Sequence, residues 1–300
     1  MAGHGDEPLR ELVEDKQVEC LLEALRKDLP HSIHIFNRIS NHLRWRREGL
    51  VSGVGERGEA EVRVSVHRLA EEGDATDGPA TVVSVMEVTG NELHVALHTT
   101  EPSCAALRRA LASSAVIPWA RPLLFESVHE RCVPALLAEA RARGDPDPKE
   151  YPTHKYMLPL EKCLALDTSD PSPELRLRPL EPRHAKIVND NWPYGTPASE
   201  NLLRETLKRN PGLSWGVFPG DQEDQHGDPE PVAFVMGQWF GGLGILHTMD
   251  SHRRRGLGAQ VTRAAARAQA ERHGLASHAN IVFPNPASEA TLGKGYVYDS

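Results

Sequence analysis

The chain has 300 residues, of which 39% are hydrophobic, which is enough for two domains of ordinary size or one large one. Lys and Arg number 34 against 42 Asp and Glu, a formal net charge of −8, so no global field draws the chain to nucleic acid or to an anionic membrane. The four cysteines, Cys20, Cys104, Cys132 and Cys163, are spaced too widely for a zinc motif and are too few for a disulfide framework, and no apolar run reaches the length of a membrane span.

The N-terminus carries Asp6, Glu7, Glu11, Glu14 and Asp15 where a leader would be basic or apolar, so the expected location is cytosolic, with a mitochondrial one left open. Val13 to Leu29 has apolar residues at near-helical spacing, and Pro30 stops it. Ser32 to Ile39 alternates around Ile33, Ile35 and Ile39 and is predicted as a strand, which would point His31 and His34 to opposite faces and deny them a shared metal. Arg44 to Arg47 is expected at a solvated strand or turn edge. Gly49 to Gly58 is turn-like, Glu61 to Leu69 alternates as a strand, and Glu71 to Pro79 is an acidic loop. Thr81 to Thr100 forms two strands across Thr89, Gly90 and Asn91, and helices follow at Cys104 to Leu111 and Val133 to Arg143.

This pattern divides the chain into an α+β domain over 1–150, a proline-rich connector over 151–173, within which Tyr156 to Leu166 is apolar enough to pack as a strand, and a second domain over 174–300. The second domain reads as strand Leu175 to Leu180, helix Pro182 to Trp192, helix Ser199 to Asn210 and strand Ser214 to Phe218. An acidic turn from Pro219 to Pro229 leads to strands Val232 to Gln238 and Leu243 to Thr248. A helix over Ala259 to His273, a strand over His278 to Phe283, a short helix over Ala287 to Lys294 and a strand over Tyr296 to Tyr298 complete it.

Leu243 to Gly258 is the segment with the most chemistry in it. An apolar strand, a polar turn and two glycines at a helix start put unpaired backbone N–H groups where a phosphate could sit, and Arg253, Arg254 and Arg255 add positive charge beside them. No Gly-Lys-Ser/Thr follows, and Val261 stands where a dinucleotide fingerprint would have its third glycine.

Arg253, Gly256 and Gly258 resemble the Arg-x-x-Gly-x-Gly signature of the GNAT acyltransferase superfamily. Val188, Asn189 and Trp192, the run Leu246-His247-Thr248, and Val116-Ile117-Pro118-Trp119 upstream are similar to elements of its glycine N-acyltransferase family. The resemblance implies an α/β (α+β) chain, with a GNAT fold in the C-terminal half and a smaller α+β domain packed on it. It implies acyl-CoA or acetyl-CoA as co-substrate, no metal, and a small amine or amino acid as acceptor, with no nucleic-acid or membrane partner. The loop of Arg253, Arg254, Arg255, Gly256, Leu257 and Gly258 would hold the pyrophosphate, and Leu246, His247 and Thr248 would run beside the pantetheine arm. Asn285 would bond that arm, while Ser288 would either join it or cap the next helix.

In two places the chain departs from the family. Gly242 stands where vertebrate members place a catalytic glutamate, and no carboxylate occurs between Val232 and Met249, which leaves His247 as the local candidate base. Leu292 stands where GNAT proteins commonly carry a tyrosine acid, and the Gly293-Lys294-Gly295-Tyr296 step is one residue short, which leaves open whether the last strand of the usual fold is present. The leading reading is an N-acyltransferase acting on glycine or another small amine. An acyl-CoA sensor or scaffold of weak activity is the alternative, and a nucleic-acid module built on the arginine clusters is the remote third.

Overall fold

The computed structural model describes residues 7–51, 62–88, 93–220, 229–292 and 297–299. The chain divides into two compact units, Met1–Tyr151 and Pro152–Ser300. The predicted turn at Thr89-Gly90-Asn91, the end of the predicted helix at Gly293 and Lys294 with Gly295 and Tyr296 after it, most of Gly49 to Gly58 and most of the acidic turn after Pro219 lie outside the described residues.

In the first unit, β1 (Leu9–Glu11), β2 (Val62–Leu69), β3 (Thr81–Val88), β4 (Leu93–Thr99) and β5 (Leu123–Phe125) form one sheet in chain order, antiparallel except for β4 with β5. Helices α1 (Asp15–Arg26), α2 (Ile33–Arg47), α3 (Ala105–Ser113) and α4 (Val133–Ala142) complete it. One core joins Leu107 and Leu111 of α3 and Leu136 of α4 to Val83, Val95 and Leu97 of the sheet. The short strands β1 and β5 carry no alternation long enough to have been read from three residues.

The predicted strand Ser32 to Ile39 is instead the first half of α2. Its polar residues hid the helical period, because His34, Asn37, Arg38, Asn41 and His42 are buried along with the isoleucines. Burying these groups requires partners. Arg38 donates to the Glu126 carboxylate and to the carbonyl oxygen of His94 at 2.7 Å, and His94 Nδ1 stands 2.8 Å from Glu126 Oε1. The Arg44 to Arg47 cluster is likewise not a strand edge but the last turn of α2. Arg44 pairs with Glu48, Arg46 with Asp15, and Arg47 with Asp15 and Glu19, so α1 and α2 are tied by charge.

The second unit has seven strands in the order β12-β6-β11-β10-β9-β8-β7. These are β6 (Thr153–Leu158), β7 (Leu175–Pro179), β8 (Trp215–Pro219), β9 (Ala233–Gly237), β10 (Leu243–Thr248), β11 (Ser277–Val282) and β12 (Val297–Asp299). The helices are α5 (Leu160–Leu164), α6 (Ala185–Asp190, entered through a 3-10 turn), α7 (Pro197–Arg209), α8 (Leu257–His273) and α9 (Pro286–Leu292). The stretch expected as a connector therefore contributes β6, which pairs with β11 on one side and β12 on the other, and α5. Prolines at 152, 159, 171 and 173 bound these elements without interrupting them. Val297–Asp299 pairs with β6, close to the strand expected over Tyr296 to Tyr298, and supplies the last strand that the sequence left open.

Two cores cover the two faces of this sheet. On one, Val261, Ala265 and Ala266 of α8 pack on Val217, Ala233, Val235 and Leu243, the alanines letting helix and sheet approach closely. On the other, Val188 of α6 and Leu203 and Leu207 of α7 pack on Phe218, Phe234 and Met236.

Burial pushes His42 and His67 of the first unit down to about 4. Both rings are thus neutral when folded and take a proton near pH 6.5 when unfolded. Their contribution to stability is complete above about pH 6.5 and is lost as pH falls to about 4. Glu126, held well below the usual carboxylate range by Arg38 and His94 against the cost of burial, acts in the same direction at lower pH. The first unit should accordingly lose melting temperature progressively between pH 6.5 and 4, and His42→Gln should flatten that slope. A melting temperature constant across this range would contradict the assignment.

Candidate functional site

The site begins with a break in strand pairing. β10 and β11 are parallel neighbours, and their ladder is confined to the single register Leu243 with Ala279. Beyond Leu243, β10 keeps β9 on its other edge, but not regularly. Gly244 faces Met236 and His247 faces Phe234, so β10 carries one residue more than β9 between these pairs. The extra residue is a β-bulge, and Ile245 within it has φ 51°, a left-handed conformation that a β-branched residue adopts only when its surroundings hold it there. The bulge re-aims the backbone of β10 next to the parting from β11, leaving amide and carbonyl groups on that edge without a ladder partner.

At the far end of β10 a short turn leads to α8. Arg254 has φ 62° and Gly256, the N-cap, has φ 78°, and α8 starts without a side-chain cap. The first-turn N–H groups of Leu257, Gly258 and Ala259 therefore point out of the helix end with the positive end of its dipole behind them. Arg253, Arg254 and Arg255 are exposed around this end. Arg253 Nη2 lies 2.8 Å from Asp250 Oδ1, and its Nε donates to the carbonyl oxygen of Thr248 at 3.2 Å, so an incoming anion would compete with Asp250 for it. The loop and the strand meet at Gly258, where a Cβ would lie 3.6 Å from Thr248 Oγ1 and 3.7 Å from Leu246 Cδ1.

Leu246, Thr248 and Gly258 thus lie together where the strand meets the helix start, with Leu257 buried beneath them and His247 turned to the other face of the sheet. Asn285 and Ser288 follow the end of β11, at the start of α9. Asn285, not Ser288, is the helix cap: its Oδ1 accepts the backbone N–H of Ser288 at 3.1 Å, which leaves its amide NH2 as the group able to face a ligand. Ser288 sits inside the first turn of α9.

His247 stacks on Phe234, ring centroids 5.6 Å apart and planes at 27°, on the face of the sheet covered by α6 and α7. Its pKa is lowered by partial burial and by the nearby Arg253, against the opposing pull of Asp250, so the ring is neutral at physiological pH and able to accept a proton. Trp192, in the α6–α7 loop, and Ile245, in the bulge, border the same apolar cluster. Asn189 pins that loop: its Nδ2 donates to the Thr196 carbonyl at 3.0 Å, and its Oδ1 accepts from Ser199 Oγ at 2.6 Å. Close packing fixes Gly195 there, since a Cβ would meet the Asn189 carbonyl oxygen at 2.3 Å. The Val-Asn-x-x-Trp element thus acts through its asparagine as a staple between α6 and α7.

Sequence reasoning missed three features of this site. The bulge at Ile245 leaves no mark in composition, and only the two flanking glycines hint at irregular backbone. His278 and Gln238 come against β10 from the neighbouring strand and turn, which no linear motif records. Among the described residues no group of three His, Cys, Asp or Glu side chains could hold a metal ion.

Two family models match the sequence. One, a domain of unknown function named DUF5645, covers residues 8–138, and the other, FR47-like protein, covers residues 229–294, the segment that holds β9, β10, α8 and β11. Over that segment the chain is similar to an FR47-like, GNAT-type domain. No curated protein matches the sequence. Among solved structures, a Drosophila protein from a structural genomics consortium is 24% identical, covers 98% of this chain and 96% of its own, and superposes with a TM-score of 0.81, so the whole two-unit fold recurs in it. A GCN5-related N-acetyltransferase from Kribbella flavida is 14% identical over 72% of this chain and 82% of its own, TM-score 0.44. Another from Sphaerobacter thermophilus is 12% identical over 97% of this chain and 92% of its own, TM-score 0.47.

The surroundings of Gly242 bear on the missing glutamate. A Cβ there would lie 2.5 Å from Phe240 Cε2 and 2.8 Å from His278 Nε2, so the volume a larger side chain would need is already filled from β11 and the turn. Gly242→Glu should consequently lower stability by about 1–3 kcal/mol, as overpacking does, rather than restore a base. An unchanged melting temperature together with a gain in any transferase activity would show that the space is free.

Proposed function

We propose that the second unit is an N-acyltransferase that takes an acyl group from acyl-CoA and passes it to a small primary amine, glycine being the narrowest form of the reading. The observation that carries it is the parting of β10 from β11 beside a bulge, in line with an uncapped helix start flanked by arginines. The strand edge offers unpaired donors and acceptors for an amide-bearing arm, and the helix start that meets it at Gly258 offers an anion site for the pyrophosphate. The family resemblance of the motif residues supports the narrower assignment.

In the reaction the amine nitrogen attacks the thioester carbonyl carbon. His247, neutral and beside the bulge, takes the proton that the nitrogen releases as the new C–N bond forms. Backbone N–H groups of the bulge face the negative charge that gathers on the carbonyl oxygen. The tetrahedral intermediate then breaks at the C–S bond, and the proton on His247 passes to the departing thiolate, so atoms and charge balance. A second reading, an acyl-CoA sensor with little turnover, is favoured by the absence of any carboxylate from Val232 to Met249.

Binding and chemistry are tested separately. Coenzyme A should raise the melting temperature of the protein. Gly256→Asn, which tolerates a left-handed conformation, should keep that shift, whereas Gly256→Asp, which tolerates it as well but adds a carboxylate to the anion site, should abolish it. Equal shifts in both variants would remove the loop from the site. Thiol release with a panel of acyl-CoAs and amines then measures turnover. His247→Ala should lower kcat about 10²-fold near pH 7 and much less near pH 9, where more of the amine is free and hydroxide can take the proton in place of the imidazole. Identical pH profiles for variant and wild type would take the base role from His247, and coenzyme A binding without turnover would establish the sensor.

A further inference from the structure

The face of the sheet that carries His247 also holds a buried polar atom with no partner. Phe234 and Met236 of β9 point to this face, and Gln238, two residues on, follows them at the start of the turn into β10. The backbone of Gln238 is fully engaged. Its N–H donates to the Gly242 carbonyl oxygen at 2.8 Å, and its own carbonyl accepts the N–H of Gly241 at 2.9 Å and Asn210 Nδ2 at 3.4 Å. Its side chain is laid across β10, where a Cβ at Gly244 would lie only 2.9 Å from Nε2. Gln238 is 4% exposed, and its Oε1 has no hydrogen-bond partner.

A buried amide oxygen without a partner is destabilising, and an apolar side chain of the same length would avoid the cost. Its position explains what it could gain. Gly244 leaves β10 without a side chain on this face one residue past its last pairing with β11, and Gln238 covers it. A nitrogen held at that point would stand over the stretch of β10 that the proposed thioester reaches.

We infer that Gln238 positions the acceptor: its Oε1 takes one N–H of the incoming primary amine. This rests on the transferase reading above and adds to it the group that receives the acceptor. A neutral primary amine has two N–H bonds and a lone pair, so it can keep one hydrogen on Gln238 and still have another to release as the new C–N bond forms, while the lone pair faces the carbonyl carbon. A secondary amine or an alcohol has a single hydrogen and must forgo one of the two. Gln238 thereby selects primary amines, in the way that buried polar groups reject analogues that leave them unpaired.

Gln238→Met tests this in two ways with the intact chain. In the ligand-free protein it should melt at the same temperature as wild type or higher, because it removes an unpartnered buried oxygen. In the thiol-release assay, kcat/KM for a primary amine should fall about 10-fold to 100-fold. KM for acyl-CoA should move less than about threefold, and the preference for the primary amine over its N-methyl counterpart should disappear. A melting temperature several degrees lower would show that the amide is a structural hydrogen-bonding group and overturn the inference. So would an unchanged preference between the two amines in an active variant, with the transferase reading intact. Failure of the wild type to acylate any amine while still binding coenzyme A would overturn that reading and the inference together.

Discussion

A β-strand with its backbone groups unpaired along one edge needs something to pair with, and that constraint shapes the second unit. β10 is held along its length by β9 but touches β11 in the ladder at one register, Leu243 with Ala279. The chain cannot close this parting by shifting register, because β11 is committed residue by residue to β6 from Ser277 to Val282. Nor can β10 straighten toward β11, since α8 packs on Leu243 from one face and Ile245 is drawn into the opposite core. The edge is thus open by construction, and the bulge is part of what keeps it so.

The groups gathered around this edge have distinct physical origins. The anion-binding capacity comes from backbone, from a helix start with a left-handed glycine before it, and its arginines are exposed and partly engaged with Asp250. The proposed base, His247, sits at a strand position whose lowered pKa follows from partial burial and a neighbouring cation. The acceptor side comes from packing: Asn189 fixes the α6–α7 loop, and Gly242 and Gly244 clear space that Phe240, His278 and Gln238 then fill. A glutamate at position 242 is incompatible with that arrangement, so its absence is built into the core and not an isolated loss.

How much of this was legible in the sequence depended on whether the signal was local. Strands of the second unit and the glycine and arginine loop could be read because alternation, helix stops and a helix start are written in consecutive residues. The stretch from Ser32 to Ile39 could not, since a helix buried all round by the Arg38–Glu126–His94 network shows apolar residues at spacings that also fit a strand. Residues 153–158 looked like part of a connector because their partners, β11 and β12, lie more than a hundred residues away. The bulge, the capping role of Asn285 and the unpartnered oxygen of Gln238 all depend on three-dimensional neighbours, and no spacing rule reaches them.

The central claim is that the parted edge of β10 and the start of α8 together bind one ligand. Backbone amide exchange measured with and without saturating coenzyme A tests it most directly, because it reports on those backbone groups themselves. The account predicts slowed exchange over Ile245 to Thr248 and over Leu257 to Ala259, with the strands of the first unit unchanged. Protection confined to the first unit, or protection at the helix start without any on β10, would contradict it.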